Sequence, residues 1–357
     1  MQAPPHGTYT EPGWNGVAGL AKTVEEVAQA TGVSVTTVRL VINGQAARYR
    51  ISAATRERVG EYVARHGLSI NQVARSLKLR RSEAIGLVIP EINNPFFAGL
   101  MAALEALCRA DGLVLLTAST QERPDLVARA LDTLVARGVD ALIVAPSTPA
   151  DRAAALAREV RFPLAFVDRL FDGPPWPSVA SDHRRSSMEL TAAMCAADPR
   201  PIAFLCANPD LPSIAARRDG FRQALGAAGA PAGLELHSPQ DGVSSGRDLM
   251  ARLLSQHPLG TCSVLCSSLP VLEGALKEIR AGGGTLTPDL LLGTFDDHPM
   301  LDFLPCPVIS ATQDIAAIAS ALFSLVRGAK GRQEAVPAPI LVPGRIVLRR
   351  HCEQAGA

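Results

Sequence analysis

Aromatic side chains are scarce in this sequence: they make up 4% of 357 residues, although 47% are hydrophobic. An interior so poor in rings must be filled by Ala, Val, Leu and Ile, as buried parallel strands covered by helices are, which points to an α/β class. Long apolar runs are missing too. The longest, such as Ile85 to Ile89 and Ala141 to Pro146, fall far short of the ~20 residues that span a bilayer, which excludes a membrane helix and a membrane partner. Residues 1–22 carry Pro4, Pro5 and Pro12 but no basic start leading into an apolar stretch and a cleavage site, so they read as a flexible extension. The seven cysteines are odd in number and scattered from Cys108 to Cys352; such usage suits small buried residues in a reducing cytoplasm. Cys262 and Cys266 are the closest pair, and without a second pair or a paired histidine they make no metal site. No phosphate-cradling G-x-x-x-x-G-K-[ST] or dinucleotide G-x-G-x-x-G is present. Gly242 to Gly246 match G-x-S-x-G, but Pro239, Gln240 and Asp241 intervene where a strand would have to run straight into the turn. Ser244 is therefore expected in a loop leading into a helix, and not as a nucleophile. Neither an enzyme nor a cofactor is expected.

Asp is absent from the first 82 residues, which hold eleven basic and five acidic side chains; the remainder holds 24 basic and 29 acidic. A basic head on an acidic body is the asymmetry expected when one module meets phosphate and the other does not, a solvated basic surface being the alternative. Within the head, Thr23 and Glu26 form a capping box and predict a helix that Gly32 ends. Ser34 caps a second helix with Val38, Val41 and Ile42 on one face and Thr36, Arg39, Leu40 and Asn43 on the other. Ser52 caps a third, in which Val59, Tyr62 and Val63 close a small core. Two short helices joined by a tight Gly-containing turn make a helix-turn-helix.

The segment TVEEVAQATGVSVTTVRLVIN at Thr23 to Asn43 resembles the opening of the LacI/GalR family of bacterial repressors, as do NQVARSL at Asn71 to Leu77 and IGLVIPEINNPFF at Ile85 to Phe97. The resemblance extends to nearly the whole chain. VINGQAARYRIS at Val41 to Ser52 and DDHPMLDFLPCPV at Asp296 to Val308 are most similar to the catabolite repressor/activator, or fructose repressor, branch. It implies a homodimer on a near-palindromic double-stranded operator, since one helix-turn-helix reads only a few base pairs. The DNA-facing set it implies is Val35, Thr36, Thr37, Arg39, Leu40 and Asn43 on the recognition helix. To these it adds Asn71, Ala74 and Leu77 on a hinge helix, with Leu77 wedged into the minor groove. Two positions depart from the family: Ile70 stands where Pro is usual and Arg80 where Gly is common. Arg39 and Leu40 also differ from the usual residues, so the operator sequence does not carry over.

After Ser82, nine aliphatic runs alternate with helical stretches, which predicts nine or ten strands in two parallel, doubly wound sheets. The resemblance implies two lobes of the periplasmic-binding-protein type joined by three crossings, placed near Asp182, Thr312 and Val336. The expected organisation is an extension 1–22, a headpiece 23–69, a hinge 70–82 and a body 83–357. Lobe 1 then spans 83–181 and 313–335, and lobe 2 spans 182–312 and 336–357. Ligands of such sheets sit beyond the carboxyl ends of the strands. The effector set placed there is Asn94, Phe96, Ser119, Asp168, Arg169, Arg217, Ser268, Asp296, Asp297 and Gln313. Arg217 matches the family's R-x-x-G-F, and Ser268 stands where many members have Asn. Carboxylates accept sugar hydroxyls and arginines fork onto phosphate, so the mixture suggests a sugar phosphate, with fructose 1-phosphate first by resemblance. Another sugar or metabolite, or a sugar-binding protein without DNA activity, are the alternatives.

Overall fold

The computed structural model describes residues 22–69, 81–158, 162–173, 176–328 and 338–349. Lys22 apart, the expected extension lies outside the described residues, as do Asn71, Ala74 and Leu77 of the expected hinge. The chain divides into two compact units, one ending at Ser82 and one starting at Glu83.

The first unit is a three-helix headpiece: α1 (Val24–Thr31), α2 (Val35–Ile42) and α3 (Ala53–His66). Its ends are tied by two short parallel strands, β1 (Lys22–Thr23) and β2 (Leu68–Ser69). Thr23 Oγ1 accepts from Glu26 N at 3.2 Å while the Glu26 carboxylate accepts from Thr23 N at 2.8 Å, so the capping box closes. Gly32 ends α1 at φ 66°, a conformation that a side chain would disfavour. Val27, Ala28, Val38 and Val59 form the core, with Tyr62 and Val63 packed against it.

The second unit holds two six-stranded sheets of the same winding. Lobe 1 runs β4 (Val114–Ser119), β3 (Ala84–Ile89), β5 (Ala141–Val144), β6 (Leu164–Val167), β7 (Ser178–Ser181) and β13 (Ile340–Val342), all parallel. Lobe 2 runs β9 (Leu234–Ser238), β8 (Ile202–Ala207), β10 (Ser263–Cys266), β11 (Leu292–Phe295), β12 (Val308–Thr312) and β14 (Arg345–Arg349). Its last strand is antiparallel. Among the described residues twelve strands replace the nine or ten expected, and lobe 2 is not purely parallel. Because β13 pairs with β7, the third crossing falls between Val342 and Arg345 and not near Val336. Gly344 makes that tight passage possible: a Cβ there would lie 2.6 Å from the Thr312 carbonyl oxygen.

Helices cover both faces of each sheet, which is why β3 and β8 are buried along their whole length. In lobe 1, α4 (Pro95–Ala110) and α11 (Ile315–Gly328) cover one face, and α5 (Pro124–Ala136) and α6 (Pro149–Arg158) the other. In lobe 2, α7 (His183–Ala197) and α8 (Pro212–Ala228) oppose α9 (Val243–Gln256) and α10 (Leu269–Ala281). Ser244 sits inside the first turn of α9, not in a loop ahead of it, so the G-x-S-x-G match is a helix start.

Candidate ligand cleft and nucleic-acid interface

In the headpiece, packing decides which face of α2 is free. Val38 is buried, and Val35, Val41 and Ile42 lean on the core, so Val35 offers less to a partner than its place at the helix start suggests. Thr37 is drawn into the cap, its hydroxyl 2.8 Å from Ser34 Oγ. Thr36, Arg39 and Asn43 are exposed and Leu40 is half-buried. Arg39 donates to Glu25 at 3.3 Å with both side chains mostly in water, a pair of little energy that a DNA phosphate can replace. Beyond α2 the turn carries Arg48, Tyr49 and Arg50, all exposed, with the Arg48 guanidinium 5.9 Å from the Tyr49 ring. Sequence reasoning passed over this basic turn, although its R-Y-R run was visible.

Between the lobes lies a cleft of about 1240 Å³ at the carboxyl ends of the strands. Asn94, Phe97, Glu122, Ser147 and Arg169 line it from lobe 1, and Asn208, Asp241 and His298 from lobe 2. Arg169 follows β6 and is only 7% exposed in its side chain. It donates to Glu122 at 2.7 Å and to Ser147 Oγ at 2.9 Å, and it lies 5.9 Å from the Phe97 ring. Its Nε is buried without a hydrogen-bond partner among the described residues, 3.9 Å from Asp168 Oδ2. Glu122 reaches it from an elbow in which Gln121 and Glu122 take φ 50° and 56°, a left-handed pair that costs roughly 1–3 kcal/mol per residue.

Arg217 lies beneath the lobe 2 side, 5% exposed, its guanidinium 4.5 Å over the Phe295 ring. Nη1 donates to the Ser267 carbonyl at 2.6 Å, and both Nε and Nη2 face His183 Nδ1 at 3.4 Å. His183 Nε2 meets Asp168 Oδ1 at 3.0 Å. Burial alone would raise the Asp168 carboxyl; the His183 bond and the charges of Arg169 and Arg217 outweigh it and hold the group below the usual range. Asp241 behaves oppositely. Burial pushes it up and Glu122 adds to the rise, against a 2.7 Å bond from Ser268 and the Arg217 charge.

The remaining expected residues divide. Asn94 lines the cleft while its oxygen caps α4 by accepting from Phe96 N at 3.0 Å. Phe96 itself packs into the lobe 1 core, and its neighbour Phe97 faces the cleft instead. Ser119 donates to the Pro90 carbonyl at 3.2 Å. Ser268 is buried under Asp241 and caps α10. Asp296 accepts from Gln313, whose oxygen accepts from Ser181, a bond between lobes. Asp297 is taken by Arg349 at 2.8 and 3.2 Å and by Ser310 at 2.7 Å, which ties β12 to β14 and turns it from the cleft. Glu122, His183 and Asp241 were missed; only the strand-end position of Asp241, three residues beyond β9, pointed to any of them.

Residues 23–71 match the bacterial regulatory proteins of the lacI family, and residues 82–281 match the periplasmic binding proteins and sugar binding domain of the LacI family. The catabolite repressor/activator of Salmonella typhimurium is 31% identical over 305 residues, 85% of this chain and 90% of that protein. The fructose operon regulatory protein of Vibrio cholerae is 30% identical over 312 residues, 87% of this chain and 95% of that one. The crystal structure of the Cra transcriptional dual regulator from Pseudomonas putida in complex with fructose 1-phosphate has a TM-score of 0.65 at 28% identity, covering 76% of this chain and 99% of that chain. The Lac repressor dimer bound to operator has a TM-score of 0.77 at 22% identity over 93% of this chain and 99% of that one, a likeness of fold.

Proposed function

The chain belongs to the LacI family of bacterial regulatory proteins, and on that premise we propose that a fructose phosphate, fructose 1-phosphate first, sets its affinity for operator DNA. It is a DNA-binding transcriptional regulator of sugar metabolism and not an enzyme. Such a regulator works in the bacterial cytoplasm. The observation that carries the effector reading is Arg169: a buried cation on the cleft wall that, among the described residues, hydrogen-bonds to a single carboxylate, the 33% exposed Glu122, and whose buried Nε has no hydrogen-bond partner. A phosphoryl oxygen satisfies such a group with strong, charge-assisted bonds. Arg217 supplies a second cation beneath the opposite wall, and Asp241, one oxygen held by Ser268, offers the other to sugar hydroxyls. The two relatives named for fructose or catabolite control and the fructose 1-phosphate complex support the same choice.

On the DNA side, two headpieces of a homodimer address a near-palindromic operator, with Thr36, Arg39 and Asn43 turned to the major groove and Leu77, flanked by Asn71 and Ala74, assigned to the minor groove. Closing the lobes on an effector changes the spacing of the two hinge segments and so the affinity for DNA. The test is a gel shift on the DNA upstream of its own gene, titrated with fructose 1-phosphate, fructose 1,6-bisphosphate, glucose 6-phosphate and fructose. A shift modulated by fructose phosphates alone is expected. Modulation by unphosphorylated fructose at equal concentration would transfer the cleft to a neutral sugar.

A further inference from the structure

We propose that His183 is the positioning residue of the cleft: it holds Arg217 in place and ties it across the lobe boundary to Asp168. The anion reading of Arg217 is the one given above, and the inference rests on it. Three observations carry it. His183, Arg217 and Asp168 are all more than nine-tenths buried. Both ring nitrogens are engaged, Nε2 with Asp168 on lobe 1 and Nδ1 with Arg217 on lobe 2. A guanidinium only donates and a carboxylate only accepts, so the ring must be the neutral tautomer with its proton on Nε2 and its lone pair on Nδ1.

The consequence is that, among the described residues, the Arg217 guanidinium hydrogen-bonds to no carboxylate directly and is linked to Asp168 through the imidazole. Its other hydrogen bond among the described residues goes to the Ser267 carbonyl. Removing the ring leaves the guanidinium, which lies beneath the cleft lining, free to fold back onto Asp168 or to turn away from the cleft. The fold holds an internal comparison. At the second crossing Gln313 stands where His183 stands at the first, donating to Asp296 and accepting from Ser181 of the other lobe. An amide therefore fills the same bridging role, with one donor and one acceptor on a side chain of similar reach.

Three measurements on the full-length dimer test the assignment. In the ligand-free protein, imidazole nitrogen shifts at neutral pH should show His183 protonated at Nε2 with an accepting Nδ1, and Arg217→Ala should abolish that single tautomer. A proton on Nδ1 would overturn the proposal. By calorimetry with fructose 1-phosphate, His183→Ala should weaken binding about tenfold, as for a misplaced charged hydrogen bond, and His183→Gln should restore it. In an Arg217→Ala background, His183→Ala should add nothing. Weakening that persists in that background, or equal loss in the Ala and Gln variants, would make His183 a packing residue. If the parent binds no phosphate ester, the effector reading fails, and the tautomer still decides the place of His183.

Discussion

Replacing Arg169 with Met keeps an unbranched apolar side chain and removes the guanidinium, whose carbon lies 5.9 Å from the centre of the Phe97 ring. Two contributions set the size of the effect. Charge-assisted hydrogen bonds to a phosphoryl group are worth roughly 1.5–3 kcal/mol net, or about 10- to 150-fold in affinity at 1.4 kcal/mol per decade. Against this, Arg169 gives up Glu122 when ligand arrives. That carboxylate is one-third exposed, so the pair is screened and worth at most about 1 kcal/mol. The expected loss for fructose 1-phosphate is therefore roughly 0.5–2 kcal/mol, about a few-fold to a few tens. Fructose, which lacks the anion, should lose little. The fold should tolerate the change, because Glu122 can turn to water, and a melting point within a few degrees of the parent is expected, at about 2–4 °C per kcal/mol for a domain of this size. Calorimetric titration of both ligands against both proteins is the assay. Equal losses for sugar and sugar phosphate, or no loss for either, would refute the placement of the phosphoryl group at Arg169.

Asp241→Asn should raise the melting point at neutral pH. The folded-state carboxyl lies above its unfolded value because burial opposes its charge. Ionised Asp241 thus weakens the fold above that folded-state value, and the advantage of Asn should vanish as pH falls through it and below the unfolded value. Gly274→Ala should destabilise the second unit by roughly 1–3 kcal/mol or more in denaturant titration, since its Cβ would sit 2.1 Å from the Val243 carbonyl oxygen and 2.8 Å from Arg247 N. Burial holds the Cys108 and Cys306 thiols at about 11 and Cys206 at about 12. These three should resist a thiolate-seeking reagent at pH 8 until the protein is denatured, which counting modified sites by mass spectrometry would show.

Elements written in local sequence were legible. The capping box at Thr23 and Glu26, the left-handed Gly32 and the serine caps at Ser34 and Ser52 each act within four residues, so the headpiece followed from them. Aliphatic strands such as Ile85 to Ile89 were equally clear. The strand Ser178–Ser181 was not, because its sequence SVAS is half polar and only four residues long. Ile340–Val342 and Arg345–Arg349 are separated by two residues yet belong to different sheets, a distinction made by partners far away in the chain. The same limit applies to the cleft. Position after a strand picked out Asp168, Arg169 and Asp296, but not that Asp297 is consumed by Arg349 across 52 residues, nor that Arg169 meets Glu122 across 47.

The two lobes repeat one backbone solution at the cleft. Asp168 ends the fourth strand of lobe 1 and Asp296 the fourth strand of lobe 2, both at φ 68°. A left-handed conformation is uncommon outside glycine and is tolerated best by Asp and Asn. Its recurrence at matching places shows that the turn is imposed by the fold, which needs the chain to leave the strand with a carboxylate facing the crossing. Each carboxylate then bonds a residue just after the fifth strand, His183 two residues beyond β7 in one case and Gln313 directly after β12 in the other. Only the far partners differ. Gln313 closes on the neutral hydroxyl of Ser181, whereas His183 closes on the charged Arg217. An anion that attracts Arg217 therefore pulls on the crossing between β7 and α7 and leaves the crossing between β12 and α11 unloaded.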